Sequence, residues 1–325
     1  MKKWKMAIVG AGNIAGKMAA TIREMETVES YAVASRDLER ARQFAKKYGF
    51  KKVYGSYIEM LQNEKVDLVY IATPHSHHYE HMKLCINYEK NILCEKPFTV
   101  NGRQAQEIFQ LAGKKGLFVG EAMWIRYMPM ADTIRKLILD GVIGKVSLLT
   151  ANLGYVLSEV PRMKKPELAG GALLDLGCYP LHFASMMLGD EVERIQSFAQ
   201  MTPEGVDAQN IMLLSYTGNI MAQLNSTMTA QSDRQGIIYG DKGFLVVENI
   251  NNFESVTVYN EDYKVIEKYC APDQITGFEY QVEAAFQAIG KGEKECLQLP
   301  HKEILRVIYM MDEMRQAWGM KYPFE

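Results

Sequence analysis

Apolar and polar positions follow two different textures along the 325 residues. In the first stretch, short apolar runs with strand character alternate with segments of helical spacing. Lys5–Val9, Ser30–Ser35, Val66–Ala72, Asn91–Cys94 and Leu117–Gly120 read as strands. Leu38–Lys47, Tyr79–Tyr88 and Gly102–Lys115 read as helices between them. Regular alternation of this kind predicts βαβ units on a parallel sheet. From about Met123 the texture changes. Val146–Val156, Arg194–Met201, Asn210–Tyr216, Ile220–Met228, Gln235–Tyr239, Phe244–Ile250 and Ser255–Tyr259 are strand candidates in near succession. Some are separated by turns such as Thr217-Gly218-Asn219 and Gly240-Asp241-Lys242-Gly243. Helices are expected at Met130–Leu139, Ala172–Leu188, Tyr280–Ile289 and Lys302–Trp318. The predicted fold is therefore an α/β Rossmann domain over 1–122, followed over 123–325 by an α+β domain with a large, mostly antiparallel sheet.

The turn that leaves the first strand carries the first chemistry. Gly10-Ala11-Gly12-Asn13-Ile14-Ala15-Gly16 comes directly after the strand and opens a helix. That order suits a dinucleotide pyrophosphate. Gly10 permits the tight turn, Gly12 lets the backbone approach the phosphates, and Asn13 and Ile14 begin the helix whose N–H groups face the anion. Ala15 is small enough for close helix–strand packing. A glycine-rich turn in some other α/β protein is the plain alternative. The second strand ends in Ser35-Arg36, where an NAD-selective site would carry an acid. A hydroxyl and a guanidinium would instead bind a 2′-phosphate, so NADP(H) is expected over NAD. Asp37 then serves to cap the next helix.

Three further constellations stand out. Thr73-Pro74-His75-Ser76-His77-His78 lies after a strand end, where ligands sit in open α/β sheets, and Thr73, Pro74, His75 and His78 are candidate cofactor contacts. With His81 this run also has the look of metal ligands, or of helix-capping and surface histidines. No remote ligand set completes a shell, so no metal is expected. Glu95-Lys96-Pro97 lies after another strand, and Glu95 and Lys96 are candidate cofactor contacts there. Lys96 could project from the strand end toward a nicotinamide and stabilise negative charge on a substrate oxygen, or be an ordinary surface lysine. The third is the helix containing Asp175, Tyr179 and His182, spaced i, i+4, i+7 on one face, with Pro180 expected to loosen it. A core helix with a few satisfied polar groups would look the same.

Composition narrows the setting. The chain is 48% hydrophobic and 23% charged, with a net charge of −2, which favours neither nucleic acid nor an anionic membrane. No apolar run has the length of a membrane span. The lysine-rich start precedes an apolar stretch interrupted by glycine and asparagine, which fits a first strand better than a signal peptide. Five cysteines include no C-x-x-C pair and read as reduced thiols in a cytoplasmic protein. The 20 methionines are explained by adaptable core filling.

Gly10 to Ala15, Glu95-Lys96-Pro97 and the Asp175…Tyr179 helix, in this order, resemble the glucose–fructose oxidoreductase / inositol dehydrogenase family over essentially the whole chain. Ser35-Arg36-Asp37, Cys94 to Pro97, Glu121 to Tyr127 and Gly177 to Pro180 are most similar to its dihydrodiol dehydrogenase and NADP-dependent sugar dehydrogenase branch. The resemblance implies a Rossmann domain, then an open-faced sheet domain that forms homodimers through its sheet, with Lys96 in the active site. It also implies Trp124 and Arg126 near the nicotinamide or the pocket wall, although Trp124 would serve equally as packing at a domain junction. In the inositol branch the place of Tyr179 holds His and that of His182 often Asp; asparagine is frequent at His75. The implied activity is hydride transfer between NADP(H) and a CH–OH group of a small sugar, polyol or dihydrodiol. Tyr179 would be the acid/base, Lys96 the cation beside it and Asp175 an orienting group. A tyrosine hydroxyl ordinarily titrates near ~10 and needs such a cation to work near neutrality. A bilin or imine reductase is an alternative within enzymes. A non-catalytic NADP(H) sensor of the same fold is the alternative outside them; it would need the glycine turn but neither Lys96 nor Tyr179.

Overall fold

The computed structural model describes residues 3–325. The chain divides into two compact units. One takes in Met1–Trp124 and Gln274–Leu305; the other takes in Ile125–Asp273 and Arg306–Glu325.

The first unit contains a six-stranded sheet. Its strands are β1 (Trp4–Val9), β2 (Val28–Ala34), β3 (Lys52–Tyr54), β4 (Leu68–Ile71), β5 (Ile92–Glu95) and β6 (Val119–Ala122). Every neighbouring pair is parallel, in the order β3-β2-β1-β4-β5-β6. The central strands are buried on both faces, as continuous apolar runs such as Met6 to Val9 and Leu68 to Ile71 require. The helices are α1 (Asn13–Glu24), α2 (Leu38–Tyr48), α3 (Tyr57–Asn63), α4 (His78–Asn87) and α5 (Gly102–Lys115). Asp37 caps α2 by accepting the Arg40 N–H at 3.1 Å, as its position predicts. The three-residue β3 and seven-residue α3 are not among the sequence-predicted elements. Both are too short to show a period.

The second unit is built on an eight-stranded sheet in the order β14-β13-β12-β11-β7-β10-β9-β8. In chain order these are β7 (Val146–Gly154), β8 (Val192–Met201), β9 (Asp207–Tyr216), β10 (Ile220–Thr227), β11 (Gly236–Gly240), β12 (Gly243–Glu248), β13 (Ser255–Asn260) and β14 (Val265–Cys270). All pairs are antiparallel except β7 with β10. Residues alternate between a buried face, with Leu149, Ala151, Leu214, Leu224 and Leu245, and a more exposed one. The helix α7 (Cys178–Leu188) packs on the buried face, across β7 and β10, and is buried nearly all round. The helix α6 (Pro129–Leu139) packs against α7.

Two findings differ from the sequence reading. Residues 274–305, assigned by sequence to the domain over 123–325, belong to the first unit, with the helix α8 (Glu279–Lys291) and the start of α9 (His301–Ala317). Ring stacking explains this. Trp4 stacks on Phe286 at 5.0 Å, Trp124 on Phe278 at 4.4 Å and Phe109 on His301 at 3.9 Å. Such pairings across a wide gap in sequence leave no local signal. Second, the helix predicted at Ala172–Leu188 is not uniform. It begins with a π-turn over Leu173–Gly177, in which the Cys178 N–H reaches the Leu173 carbonyl. Asp175, Tyr179 and His182 therefore do not lie on one unbroken α-helical stripe. Pro180 has no N–H for the Leu176 carbonyl, and the irregularity accommodates that loss one turn earlier than expected.

Candidate active site

The strand order of the first sheet reverses between β1 and β4, and ligands bind outside the carboxyl ends of strands at such a point. The glycine turn leaves β1 there. Gly10 has φ +107, and a Cβ on it would lie 2.8 Å from the Ala72 carbonyl oxygen. Gly12 is different: a Cβ on it would meet nothing within 4 Å, so the space above it is open for a ligand. Asn13, exposed, and Ile14 start α1. Gly12 offers no capping side chain and the first turn holds no acid, so the helix N–H groups and dipole are left to an anion. Ala15 is fully buried, and Gly16 is closely packed as well, since a Cβ on it would sit 2.8 Å from the Tyr48 hydroxyl of α2. A groove of about 510 Å³ beside the turn is lined by Ala11, Gly12, Asn13, Lys17, Arg40 and Lys47, among others.

At the end of β2, Ser35 is buried and its hydroxyl accepts the Asp37 N–H, while Arg36 is exposed. Arg36 and Arg40 both act on Tyr57, whose hydroxyl burial pushes above its ordinary value while the two guanidinium groups pull it down. Arg40 also ties α2 to the glycine turn, donating from Nε to the Ala11 carbonyl at 2.9 Å. Arg40 is absent from the sequence-derived candidates. Burial, then Arg36, keep His77 below its usual range; His81 is pushed down to about 4 by burial, with His77 and Arg36 adding to it.

The end of β4 supplies Thr73, Pro74 and His75, all half-buried. Thr73 Oγ1 pairs with His81 Nδ1 at 2.9 Å, and Tyr57 meets the His81 ring edge-on at 4.9 Å. His78 is tied to the protein on both ring nitrogens. It is wholly buried, with Nδ1 2.8 Å from the Pro97 carbonyl and Nε2 2.9 Å from the Thr73 carbonyl. Burial, with His75 next, pushes it down to about 3, so the ring is neutral and donates one N–H. His78 thus braces the strand ends. Among the described residues, no group of three or more His, Cys, Asp or Glu side chains is disposed to hold a metal ion.

The end of β5 is similarly braced. Glu95 is buried; it accepts the Tyr70 hydroxyl on one oxygen and the Lys96 N–H at 3.2 Å on the other. These bonds fix the strand end from within. Lys96 comes next, half-buried, joined to Pro97 by a cis peptide bond. Glu121, buried in β6, accepts the Phe98 N–H at 2.9 Å and fastens the same turn from the neighbouring strand. Trp124 is buried against Phe278, an aromatic partner that sequence spacing could not reveal.

The second unit holds Arg126, Asp175, Tyr179 and His182, all buried. Asp175 lies in the π-turn and Tyr179 at the start of α7. Asp175 accepts a charge-assisted hydrogen bond from Arg162 at 3.0 Å; the Arg162 side chain is 43% exposed and that of Asp175 only 6%. Arg162, on the loop before the helix, carries no motif that would single it out in the sequence. Burial, then Arg126 and Arg306, hold His182 well below its ordinary range, which makes it a neutral core group. The arrangement offers a buried carboxylate and a tyrosine hydroxyl on a locally irregular helix, a common setting for function.

Comparison with known proteins matches this architecture. The model of the oxidoreductase family with an NAD-binding Rossmann fold, GFO_IDH_MocA, fits residues 4–122. The GFO/IDH/MocA C-terminal domain fits 131–246. Trans-1,2-dihydrobenzene-1,2-diol dehydrogenase of Xenopus tropicalis is 34% identical over 98% of this chain and 99% of its own length. The human protein of that name is 32% identical over 98% of each. Among solved structures, KijD10, a 3-ketoreductase from Actinomadura kijaniata in complex with NADP and TDP-benzene, has a TM-score of 0.89. It is 24% identical, with 97% of this chain and 98% of that one covered. Aldose-aldose oxidoreductase from Caulobacter crescentus has a TM-score of 0.88 at 20% identity, with 97% of each chain covered. The two-unit architecture, the glycine turn at the strand reversal and this near full-length similarity make the chain a member of the GFO/IDH/MocA oxidoreductase family.

Proposed function

We propose that the protein is an NADP(H)-dependent dehydrogenase or reductase that moves a hydride to or from the carbon of a CH–OH group on a dihydrodiol, sugar or polyol. The observation that carries this reading is the similarity, along nearly the whole chain, to trans-1,2-dihydrobenzene-1,2-diol dehydrogenases. The open space over Gly12 and the acid-free start of α1 fit a dinucleotide. Arg36 and Arg40, with no acid at the end of β2, fit its 2′-phosphate. When bound, the nicotinamide supplies the redox chemistry.

The chain's own residues divide the remaining work. Gly10 makes the tight turn, its own N–H donated to the Ala34 carbonyl; Gly12, Asn13 and Ile14 hold the pyrophosphate through backbone N–H groups, and Ser35, Arg36 and Arg40 hold the adenosine end. Thr73, Pro74 and His75 border the cofactor at the end of β4. Lys96 stabilises negative charge on the reacting oxygen. Tyr179 takes or returns the hydroxyl proton at its phenolic oxygen. Asp175, held by Arg162, orients the reacting groups. Trp124 and Arg126 contribute to the walls. The domain over 1–122 binds cofactor, and the second domain takes substrate.

The protein works as a homodimer joined through the open face of its second sheet. That face carries Phe198, Ile211 and Met221, exposed by 73%, 51% and 52%. Its free cysteines, four buried and one exposed, suit the cytoplasm. The test is a fluorescence titration of NADPH and NADH, with trans-1,2-dihydrobenzene-1,2-diol as first substrate. NADPH should bind more tightly, and Arg36→Ala should weaken NADPH by about 1–3 kcal/mol while leaving NADH unchanged. Equal affinity for the two cofactors would refute the assignment.

A further inference from the structure

The π-turn is held by a buried carboxylate that the hydride-transfer reading leaves unused. Asp207, the first residue of β9, is wholly buried. Its Oδ2 accepts the Leu173 N–H at 2.7 Å and the Asn210 Nδ2–H at 2.8 Å. Leu173 is the first residue of the π-turn. Asn210 Oδ1 in turn accepts the Ser226 hydroxyl at 3.1 Å from the opposite position on β10. Ser226 touches the other end of the turn: a Cβ on Gly177 would lie 3.0 Å from its Oγ. The polar chain Asp207–Asn210–Ser226 therefore spans the turn from Leu173 to Gly177.

The approach is close at the entry to the turn as well. Gly171 has φ +111, and a Cβ there would lie 2.3 Å from Asp207 Oδ1. The preceding carbonyl, of Gly170, accepts the Tyr322 hydroxyl at 2.7 Å. Burial pushes the Asp207 carboxyl up to about 7, against the Asn210 and Leu173 hydrogen bonds and Arg315, which pull it down. A buried carboxylate is a costly way to anchor a helix that an apolar contact could also seat. What it adds is a directional bond at one backbone N–H of an irregular turn.

We propose that Asp207 is a positioning residue for Asp175 and Tyr179: its carboxylate pins the Leu173 N–H and so sets the turn that carries Asp175 and leads directly into the helix end that carries Tyr179. This rests on the reading of Tyr179 as the proton carrier. The role differs from that of a general core anchor, because it acts on the chemical step and not on cofactor binding.

The experiment compares wild type, Asp207→Asn and Tyr179→Phe, with NADP as the hydride acceptor and trans-1,2-dihydrobenzene-1,2-diol as substrate for turnover, and NADPH titrated separately for affinity. Asparagine keeps the size but replaces the carboxylate with a neutral acceptor, which weakens the bond to Leu173 without emptying the site, so the variant is suited to fold; urea unfolding checks that it does. In Asp207→Asn, kcat should fall at least about tenfold, with the substrate KM within about threefold and NADPH affinity unchanged. Hydrogen exchange read by mass spectrometry should rise over 172–179 and stay unchanged over β7. If the folded variant keeps wild-type kcat, or if exchange rises evenly across the second unit, Asp207 is only a structural anchor and the proposal fails. If Tyr179→Phe keeps wild-type turnover, the proton-carrier reading falls and takes this proposal with it. Loss of turnover in Tyr179→Phe with none in Asp207→Asn overturns this proposal alone.

Discussion

At the scale of single residues, the ends of β4, β5 and β6 separate side chains that present chemistry from side chains that hold position. His78, Glu95 and Glu121 are ionisable and lie near the strand ends, yet each is buried and turned to protein partners. Lys96, at the end of β5, is cationic and only half-buried. Tyr179→Phe removes one hydroxyl and keeps the ring. It should lower turnover by about 10²–10⁴-fold with NADPH affinity held, the usual scale of acid–base catalysis. Lys96→Met should act in the same direction. Steady-state kinetics beside a cofactor titration decides; near-wild-type turnover in both variants would rule out the proposed roles. Motif spacing showed Lys96 and Tyr179 as candidates. It could not show that His78 and Glu95 turn inward, because that depends on the Pro97 carbonyl and the Tyr70 hydroxyl, residues that only the folded sheet brings near.

At the scale of elements, α7 explains how a helix with Tyr179 and His182 can sit in a core. Its partners are apolar and close. Phe183 is fully buried, and a Cβ on Gly236 of β11 would lie 2.4 Å from its ring, so the helix and sheet meet there without room to spare. Phe183→Ala should cost about 3–5 kcal/mol, read as a shift of the urea midpoint of the second unit. A loss below about 1 kcal/mol would mean that the site collapses around the cavity. The helix was visible in the sequence as an apolar stretch after Gly170-Gly171. Its π-turn was not: proline announces a missing N–H, but the partners that meet the turn, Asp207 at Leu173 and Ser226 beside Gly177, come from strands distant in sequence.

For the whole molecule, buried histidines make acid the weak side. His78 and His81 are held at about 3 and about 4, below the ordinary 6.5. An unfolded chain therefore takes up protons that the folded one refuses, and stability falls as pH drops through about 6.5 toward 4. Asp207, raised to about 7, has the opposite sign: its contribution is present at low pH and is lost as pH rises from about 4 through 7. Urea midpoints from pH 7.5 to 4.5 for wild type and His81→Gln isolate the first effect, since Asp207 is common to both. The variant should show the shallower acid loss, and identical slopes would refute the assignment. Assembly is testable on the same scale. Phe198→Glu places a charge on the open sheet face and should convert a dimer to monomer by light scattering; a wild-type monomer at working concentration would exclude that interface.

What the sequence determined by itself was local or periodic. The alternation of strands and helices specified a parallel sheet, and the run of short strands specified a second, mostly antiparallel one. The glycine turn after β1 and the helix-capping Asp37 were legible because each acts on its immediate neighbours. The tertiary structure alone decided three things. It returned 274–305 to the first unit through ring stacks that join residues more than a hundred positions apart. It brought Arg162 to Asp175 and Asp207 to Leu173, pairs set by how a loop and a strand end pack on one helix. It also decided which polar groups are buried, because burial depends on what every other element covers.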